Sequence, residues 1–273
     1  FLVVILLRQM TRIIEKGADE RRRYLNLAVV QGDPFFTQSL AEYNNALSQR
    51  NALLKMLSER GGDNTQLEYW DGLITDRGAR IIRARIMAIR ELESIAARIH
   101  ERLTGSKEVL RLIYQPSYDP LPKPNGQIAL PIQTSIHRDA FTIDQIQQGF
   151  LAQLASSRNE EIARGVTTIG PHRDEMRIQS NGVDLTDFGS RGQIRTALLS
   201  LKMAEVDWLK QKTTQWPVLL LDEMLAELDT DRRKFLLSYL ENAEQTIMTT
   251  TDMNLYPAGF SETCEKWTID SGS

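Results

Sequence analysis

The sequence predicts an α/β protein interrupted by a long pair of helices, and two patterns carry that prediction. Phe1–Leu7 and Val218–Leu221 are short, wholly apolar runs, with the length of strands buried in a parallel sheet. Between them Leu40, Tyr43, Leu47, Leu54 and Leu57 recur at helical spacing, and after the turn Gly61-Gly62-Asp63-Asn64 a second apolar series continues from Leu67 to Leu103. Two such helices joined by a short polar turn make an antiparallel coiled-coil arm.

In chain order, Phe1–Ile14 is expected to be a strand and its exit. The apolar run Phe1–Leu7 is too short to span a bilayer, and no charged segment precedes it. The chain opens on Phe rather than Met in mid-pattern, which predicts a fragment. Ala18-Asp19-Glu20 starts a helix with acidic residues at its positive end. Arg21-Arg22-Arg23 then spread round that helix, so at least one faces solvent or an anion. Asp33-Pro34 breaks the pattern ahead of the two long helices. Val109–Tyr114 reads as a strand, the stretch from Pro116 to Pro131 as a proline-rich loop, and Phe141–Glu161 as a helix with Ile146, Phe150 and Leu154 on one face. Val166–Ile169 reads as a strand. Met176–Ile178 and Gly182–Leu185 read as a hairpin turning at Asn181-Gly182. Ile194–Lys210 and Asp231–Leu240 are helical, Gln245–Thr250 is a strand, and Glu265–Ile269 closes the chain as another.

A net charge of −3 excludes wholesale attraction to nucleic acid, so DNA binding would need a local basic patch. Arg77, Arg80, Arg83, Arg85 and Arg90 follow one another in the second long helix with no acidic residue between Arg77 and Arg90. All but Arg85 fall on one side at 100° per residue. Arg77, Arg80, Arg83 and Arg90 are therefore either a track for a DNA backbone or a solvated helix face. The single Cys264 excludes an intrachain disulfide, fits a reducing cytoplasm, and is expected to be small and at least partly buried. His100, His137 and His172 offer no metal-ligand spacing.

The chemistry concentrates between Asp187 and Asp229. Ser190-Arg191-Gly192-Gln193 opens a helix, with Ser190 at the N-cap and a glycine in the first turn. That arrangement leaves backbone N–H groups free at a positive dipole end, which serves an anion, or is simply a well-capped helix. The strand Val218–Leu221 ends in Asp222-Glu223, and ligands of open α/β sheets collect at such strand ends. Asp222 suits Mg²⁺, which prefers one or two carboxylates plus phosphate oxygens, and Glu223 suits the removal of a proton from water. The alternative is an acidic turn without chemistry. Arg173, on a turn at a strand end, can reach a phosphate or hold the segment that follows, whereas His172 is expected to pack or cap.

Taken together, Ser190-x-Gly192-Gln193, the strand ending in Asp222-Glu223, and Glu227-Leu228-Asp229 resemble the signature motif, Walker B strand and D-loop of ATP-binding-cassette (ABC) ATPases. With Gly170-Pro171-His172-Arg173-Asp174 ahead of them and Glu20-Arg21-Arg22-Arg23-Tyr24-Leu25 upstream, the series is similar to the RecF family of bacterial DNA replication and repair proteins, in register from about Met10 to the end. The resemblance implies the C-terminal lobe of an ABC-ATPase head with an inserted antiparallel coiled-coil arm. On that reading residues 1–18 end the N-terminal lobe, 19–107 form the arm, and 108–273 form the C-terminal lobe. It also implies ATP and Mg²⁺ as cofactors and an ATP-dependent homodimer. Ser190 and the amides near Gly192 and Gln193 would meet the γ-phosphate across the dimer, with Asp222 on Mg²⁺, Glu223 polarising water and Asp229 crossing the interface. Further implications are a weak, DNA-dependent ATPase, binding at single-strand–duplex junctions of gapped DNA, work with RecO and RecR to load RecA, and a part in the SOS response.

The sequence departs from that family in two places. Nothing matches the phosphate-cradling Gly-x-x-x-x-Gly-Lys-[Ser/Thr] loop, which lies near the start of the family's chains. No His follows the strand ending Thr249-Thr250-Thr251-Asp252, where most cassette ATPases carry one, so a threonine must substitute or the role is lost. A non-enzymatic DNA- or partner-binding module is therefore the competing reading. A purely structural coiled coil is excluded, because the seam ends near Leu103 and an α/β region follows.

Overall fold

The computed structural model describes residues 2–121, 138–257, 259–262 and 264–268. Pro122, Pro124, Pro131, His137 and Ile269 lie outside them. In chain order the elements are β1 (Val3–Leu7), α1 (Arg12–Glu15), α2 (Ala18–Gly32), α3 (Pro34–Arg60), α4 (Leu67–Thr104), β2 (Leu110–Gln115), α5 (Ile143–Arg164), β3 (Glu175–Ser180), β4 (Val183–Asp184), α6 (Leu185–Phe188), α7 (Arg191–Thr213), β5 (Val218–Asp222), α8 (Thr230–Leu240) and β6 (Thr246–Thr249), with short 3-10 turns between some of them. They form two compact units, residues 1–10 with 216–273, and residues 11–215.

The first unit is built on a parallel sheet in the order β1-β5-β6, with Val3 opposite Val218 and Asp222 opposite Thr249. Residues of one register row share a face, since side chains alternate along each strand. Val4, Leu6, Leu219 and Leu221 are buried on one face. On the other, Ile5, Leu7 and Ile247 are exposed and Leu220 is half-buried, so the two-sided burial expected of this strand is complete on one face only. Asp222 and Thr249 share that more open face. The strand expected at Glu265–Ile269 is not formed at Glu265–Thr268, and Cys264 is exposed rather than buried.

The second unit is organised around α4. Asp33 caps α3 by accepting from the Phe35 amide, Pro34 occupies its first position, and Gly61 (φ 69°) ends it. The chain then reverses. Tyr43 meets Gly78, Arg50 meets Asp71, and Leu54 and Leu57 cluster with Leu67, so α3 and α4 are antiparallel. A Cβ on Gly78 would stand 2.8 Å from Phe150 Cε1, which shows how closely α5 approaches α4. Ile74, Ala79, Ile81, Ile82, Ala88, Ile89 and Leu92 of α4 are all buried. That stripe is too wide for a two-helix seam, and α4 packs on α5, α7 and β2 as well as on α3. The pair α3 and α4 lies within unit 11–215.

β2, β3 and β4 form an antiparallel sheet, and the β3–β4 turn places Asn181 (φ 51°) and Gly182 (φ 79°) in the left-handed region, as a tight hairpin requires. The expected strand Val166–Ile169 is irregular. Side chains take its backbone instead: Thr167 N–H donates to Asn51 Oδ1 at 2.8 Å and Thr168 N–H to Glu161 Oε1 at 2.7 Å.

Candidate functional site

The first turn of α7 is a capping box. Ser190 Oγ accepts the Gln193 N–H at 3.2 Å while Gln193 Oε1 accepts the Ser190 N–H at 3.1 Å. The remaining first-turn amides, those of Arg191 and Gly192, have no acceptor among the described residues, and both residues are exposed. Two glycines here differ in their reasons. A Cβ on Gly189 would fall 2.5 Å from the Leu185 carbonyl oxygen, whereas one on Gly192 would meet nothing within 4 Å. Glycine in a helix costs about 1 kcal/mol against alanine, and nothing packed at position 192 offsets that. What the missing methyl gains is open access to the backbone amides at the positive end of a 23-residue helix.

At the end of β5, Asp222 accepts the Thr249 hydroxyl at Oδ1, 2.6 Å away. Oδ2 has no partner among the described residues. Glu223 follows with left-handed backbone (φ 53°, ψ 23°), which costs a non-glycine residue about 1 kcal/mol. Its N–H is turned toward Thr249, 3.3 Å from the hydroxyl and 3.4 Å from the carbonyl oxygen. Strain held at a strand end beside two carboxylates fits a functional turn. Among the described residues no cluster of three His, Cys, Asp or Glu is placed to enclose a metal. A single open carboxylate therefore suits an ion that brings its other ligands with it, as Mg²⁺ does with phosphates and water. Thr249, the last residue of β6, is thus engaged by both Asp222 and the Glu223 N–H. Asp229 caps α8 by accepting the Arg232 N–H at 2.9 Å and pairs with the Arg232 guanidinium at 2.7 Å.

The four arginines of α4 carry partners of their own. Arg77 pairs with Glu42 and, at 2.6 Å, with Asp76; Arg80 reaches Asp76 at 3.4 Å; Arg83 donates to the Asp139 carbonyl at 2.8 Å; and Arg90 pairs with the Asp139 carboxylate. The acid-free run from Arg77 to Arg90 is thus countered by acids outside it. Arg80 and Arg90 remain 48% and 62% exposed, open to a polyanion on their outer side. Arg85, set apart by its angle, is buried against Pro171 O, Asp174 and Asn26.

Arg173 is exposed, with no side-chain hydrogen bond or ion pair among the described residues. The rest of its segment is scaffold. Asp174, 1% exposed, accepts from Arg85 at 2.9 Å, from the Ser117 N–H at 2.9 Å and from the Tyr114 hydroxyl. Of the consecutive arginines, Arg21 is buried on Glu175 at 2.7 Å, Arg22 donates to the Asp174 carbonyl at 2.6 Å, and Arg23 faces solvent. Sequence reasoning missed Asp174, Thr249 and Glu108, the last an acceptor for the Gln193 side chain at 3.3 Å. The signal for Thr249 was present, since an apolar strand ending in hydroxyls pairs in register with the strand carrying Asp222.

No protein-family model matches the chain. It is 39% identical over 255 residues to the DNA replication and repair protein RecF of Acetivibrio thermocellus, which covers 93% of this chain and 64% of that protein. It is 36% identical over 251 residues to the RecF of Halothermothrix orenii, covering 92% and 63%. A solved structure of the recombination mediator protein RecF-ATPrS in the RecFOR pathway superposes with a TM-score of 0.79 at 31% identity, covering 93% of this chain and 63% of that one. The corresponding RecF-ATP structure also gives 0.79, at 30% identity. The chain therefore spans just under two thirds of the curated relatives it matches. At this identity over nine tenths of its length, the chain belongs to the family of the DNA replication and repair protein RecF.

Proposed function

We propose that this chain carries the signature segment, the acidic strand end and the helix pair of an ATP-dependent DNA-repair protein in which ATP closes two copies on each other. The observation that carries this reading is Gly192, a first-turn glycine that no neighbour requires, beside amides that no acceptor among the described residues takes. The relatives' names supply the context: they are DNA replication and repair proteins, and the matched structures are described with ATP and an ATP analogue in the RecFOR pathway.

Bound Mg²⁺-ATP would supply a γ-phosphate able to bridge two protomers and a phosphoanhydride bond for hydrolysis. Ser190 and the amides around Gly192 and Gln193 bind that phosphate from the opposite copy, as a helix N-terminus binds anions. Asp222 offers its free Oδ2 to the metal while Thr249 steadies Oδ1. Glu223 accepts the proton of the attacking water. Asp229, at the start of α8, faces the partner, and Arg173 is available to a phosphate or an interface carboxylate. Arg77, Arg80, Arg83 and Arg90 receive the DNA backbone at single-strand–duplex junctions. RecO and RecR are the partners and RecA loading the outcome, in the cytoplasm, as part of the SOS response. Hydrolysis is slow, because no His follows β6, where most cassette ATPases carry one.

The test is ATP-dependent self-association of the gene's full-length product, followed by light scattering. Wild type should dimerise with ATP and Ser190→Arg should not. Glu223→Gln should hold the dimer while its hydrolysis falls by about 10²–10⁴-fold, the usual contribution of a general base. Indifference of all three to ATP would leave the exposed basic face of α4 as the activity to pursue, in a non-enzymatic DNA-binding module.

A further inference from the structure

Glu108 lies behind the cap of α7, on the segment that leads from α4 into β2. Its Oε2 accepts the Ser180 hydroxyl at 2.8 Å and stands 3.3 Å from His100 Nε2. Its Oε1 accepts from Gln193 Nε2 at 3.3 Å. Gln193 is thereby gripped at both ends, since its own Oε1 accepts the Ser190 N–H at 3.1 Å. A flipped amide would set its NH₂ against the Ser190 N–H and its oxygen against the Glu108 carboxylate, both repulsive, so the carboxylate dictates which way the amide points.

The same carboxylate reaches the second and third turns of α7. Buried His100 places Nδ1 3.1 Å from Ser200 Oγ, Ser200 donates to the Thr196 carbonyl at 2.8 Å, and Thr196 donates to the Gly192 carbonyl at 2.7 Å. Partial burial acts to raise the Glu108 pKa, but donation from Ser180, Gln193 and His100 prevails and holds it below the ordinary glutamate value. The group is ionised at neutral pH.

We infer that Glu108 is a positioning residue for the signature segment, orienting the Gln193 amide and through it the Ser190 backbone and hydroxyl that receive an anion. This rests on the reading that the start of α7 meets the partner's nucleotide. Glu108 stands on the inner side of Gln193, whereas the open amides belong to Arg191 and Gly192 on the exposed side. A carboxylate that served only to stabilise the helix would change the melting temperature of the fold and nothing specific to dimer closure.

The full-length protein distinguishes these roles. With Glu108→Ala, nucleotide affinity of the isolated protomer should stay within about twofold of wild type, while the dissociation constant of the ATP-bound dimer should rise about tenfold, as expected when a hydrogen bond to a charged group is removed. Glu108→Gln, which keeps one acceptor oxygen, should recover part of that affinity and serves as the measurement if the alanine variant does not fold. Mixing Glu108→Ala with Asp222→Ala should restore dimers, because each mixed pair holds one composite site made of two intact halves. Normal closure by both Glu108 variants while Ser190→Arg is blocked overturns this inference alone, as does failure of the mixed pair to form. Normal closure by Ser190→Arg overturns the parent reading and this inference with it.

Discussion

The imidazole of His172 accepts the Tyr43 hydroxyl at Nδ1 (2.7 Å) and faces the Thr167 carbonyl from Nε2 (3.2 Å), an arrangement that the neutral Nε2–H tautomer satisfies completely. Burial, followed by the nearby positive charges of Arg173, Arg22 and Arg50, outweighs the Thr167 carbonyl and pushes its pKa down from 6.5 to about 4. Between those values the unfolded chain takes up a proton that the folded chain refuses. Stability therefore falls as pH drops from about 6.5 toward 4, by on the order of 3 kcal/mol at about 1.36 kcal/mol per unit. Urea unfolding at pH 7 and pH 5 should show this decline, and His172→Gln should flatten it. An unchanged slope in the variant would assign the acid sensitivity to other groups. From the sequence His172 could be read as a packing residue, but its partners come from α3 and from the irregular stretch before Gly170. A linear pattern does not reveal either.

At the scale of elements, α3, α4 and α5 are tied by a buried ionic cluster. Arg50, fully buried, pairs with Asp71 and Glu161 at 2.7 Å each and donates to Thr167 at 2.9 Å, while Arg158 takes the other Asp71 oxygen at 3.0 Å. Arg50→Met should destabilise the protein by about 3–5 kcal/mol in denaturant titrations, because two carboxylates are left buried and short of a counter-charge. A change under about 1 kcal/mol, the range of an exposed pair, would show that water or Arg158 takes over. The apolar period of α3 predicted its buried face, yet two of its members, Leu40 and Leu47, are only half-buried while Arg50 on that face is fully buried. Helical spacing says which positions face inward. It does not say that an arginine among them will find acids on two other helices.

For the whole molecule, the open question is whether the α4 arginines act on DNA while Glu42, Asp76 and Asp139 hold them. Replacing Arg77, Arg80, Arg83 and Arg90 with alanine should weaken binding to single-stranded and duplex DNA alike. It should also flatten the dependence of log Kd on log salt by about 0.9 for each duplex phosphate no longer neutralised, measured by fluorescence anisotropy across a salt series. Asp139→Asn, which releases Arg90 from its carboxylate partner, should strengthen binding. An unaltered salt slope in the fourfold variant would identify the stripe as a solvated face.

By itself the sequence determined the order and type of nearly all elements, the cap of α7, and the acidic end of β5. These depend on apolar period, turn chemistry and residues within a few positions of one another. Tertiary structure alone decided that α4 would be packed by α5, α7 and β2, that Val166–Ile169 would bond to side chains rather than to a strand, and that Arg77 and Arg90 would meet Glu42 and Asp139. It also brought Thr249 to Asp222 across 27 positions of sequence and Glu108 to Gln193 across 85. At such separations the partner is chosen by packing and charge compensation in three dimensions, which no local pattern encodes.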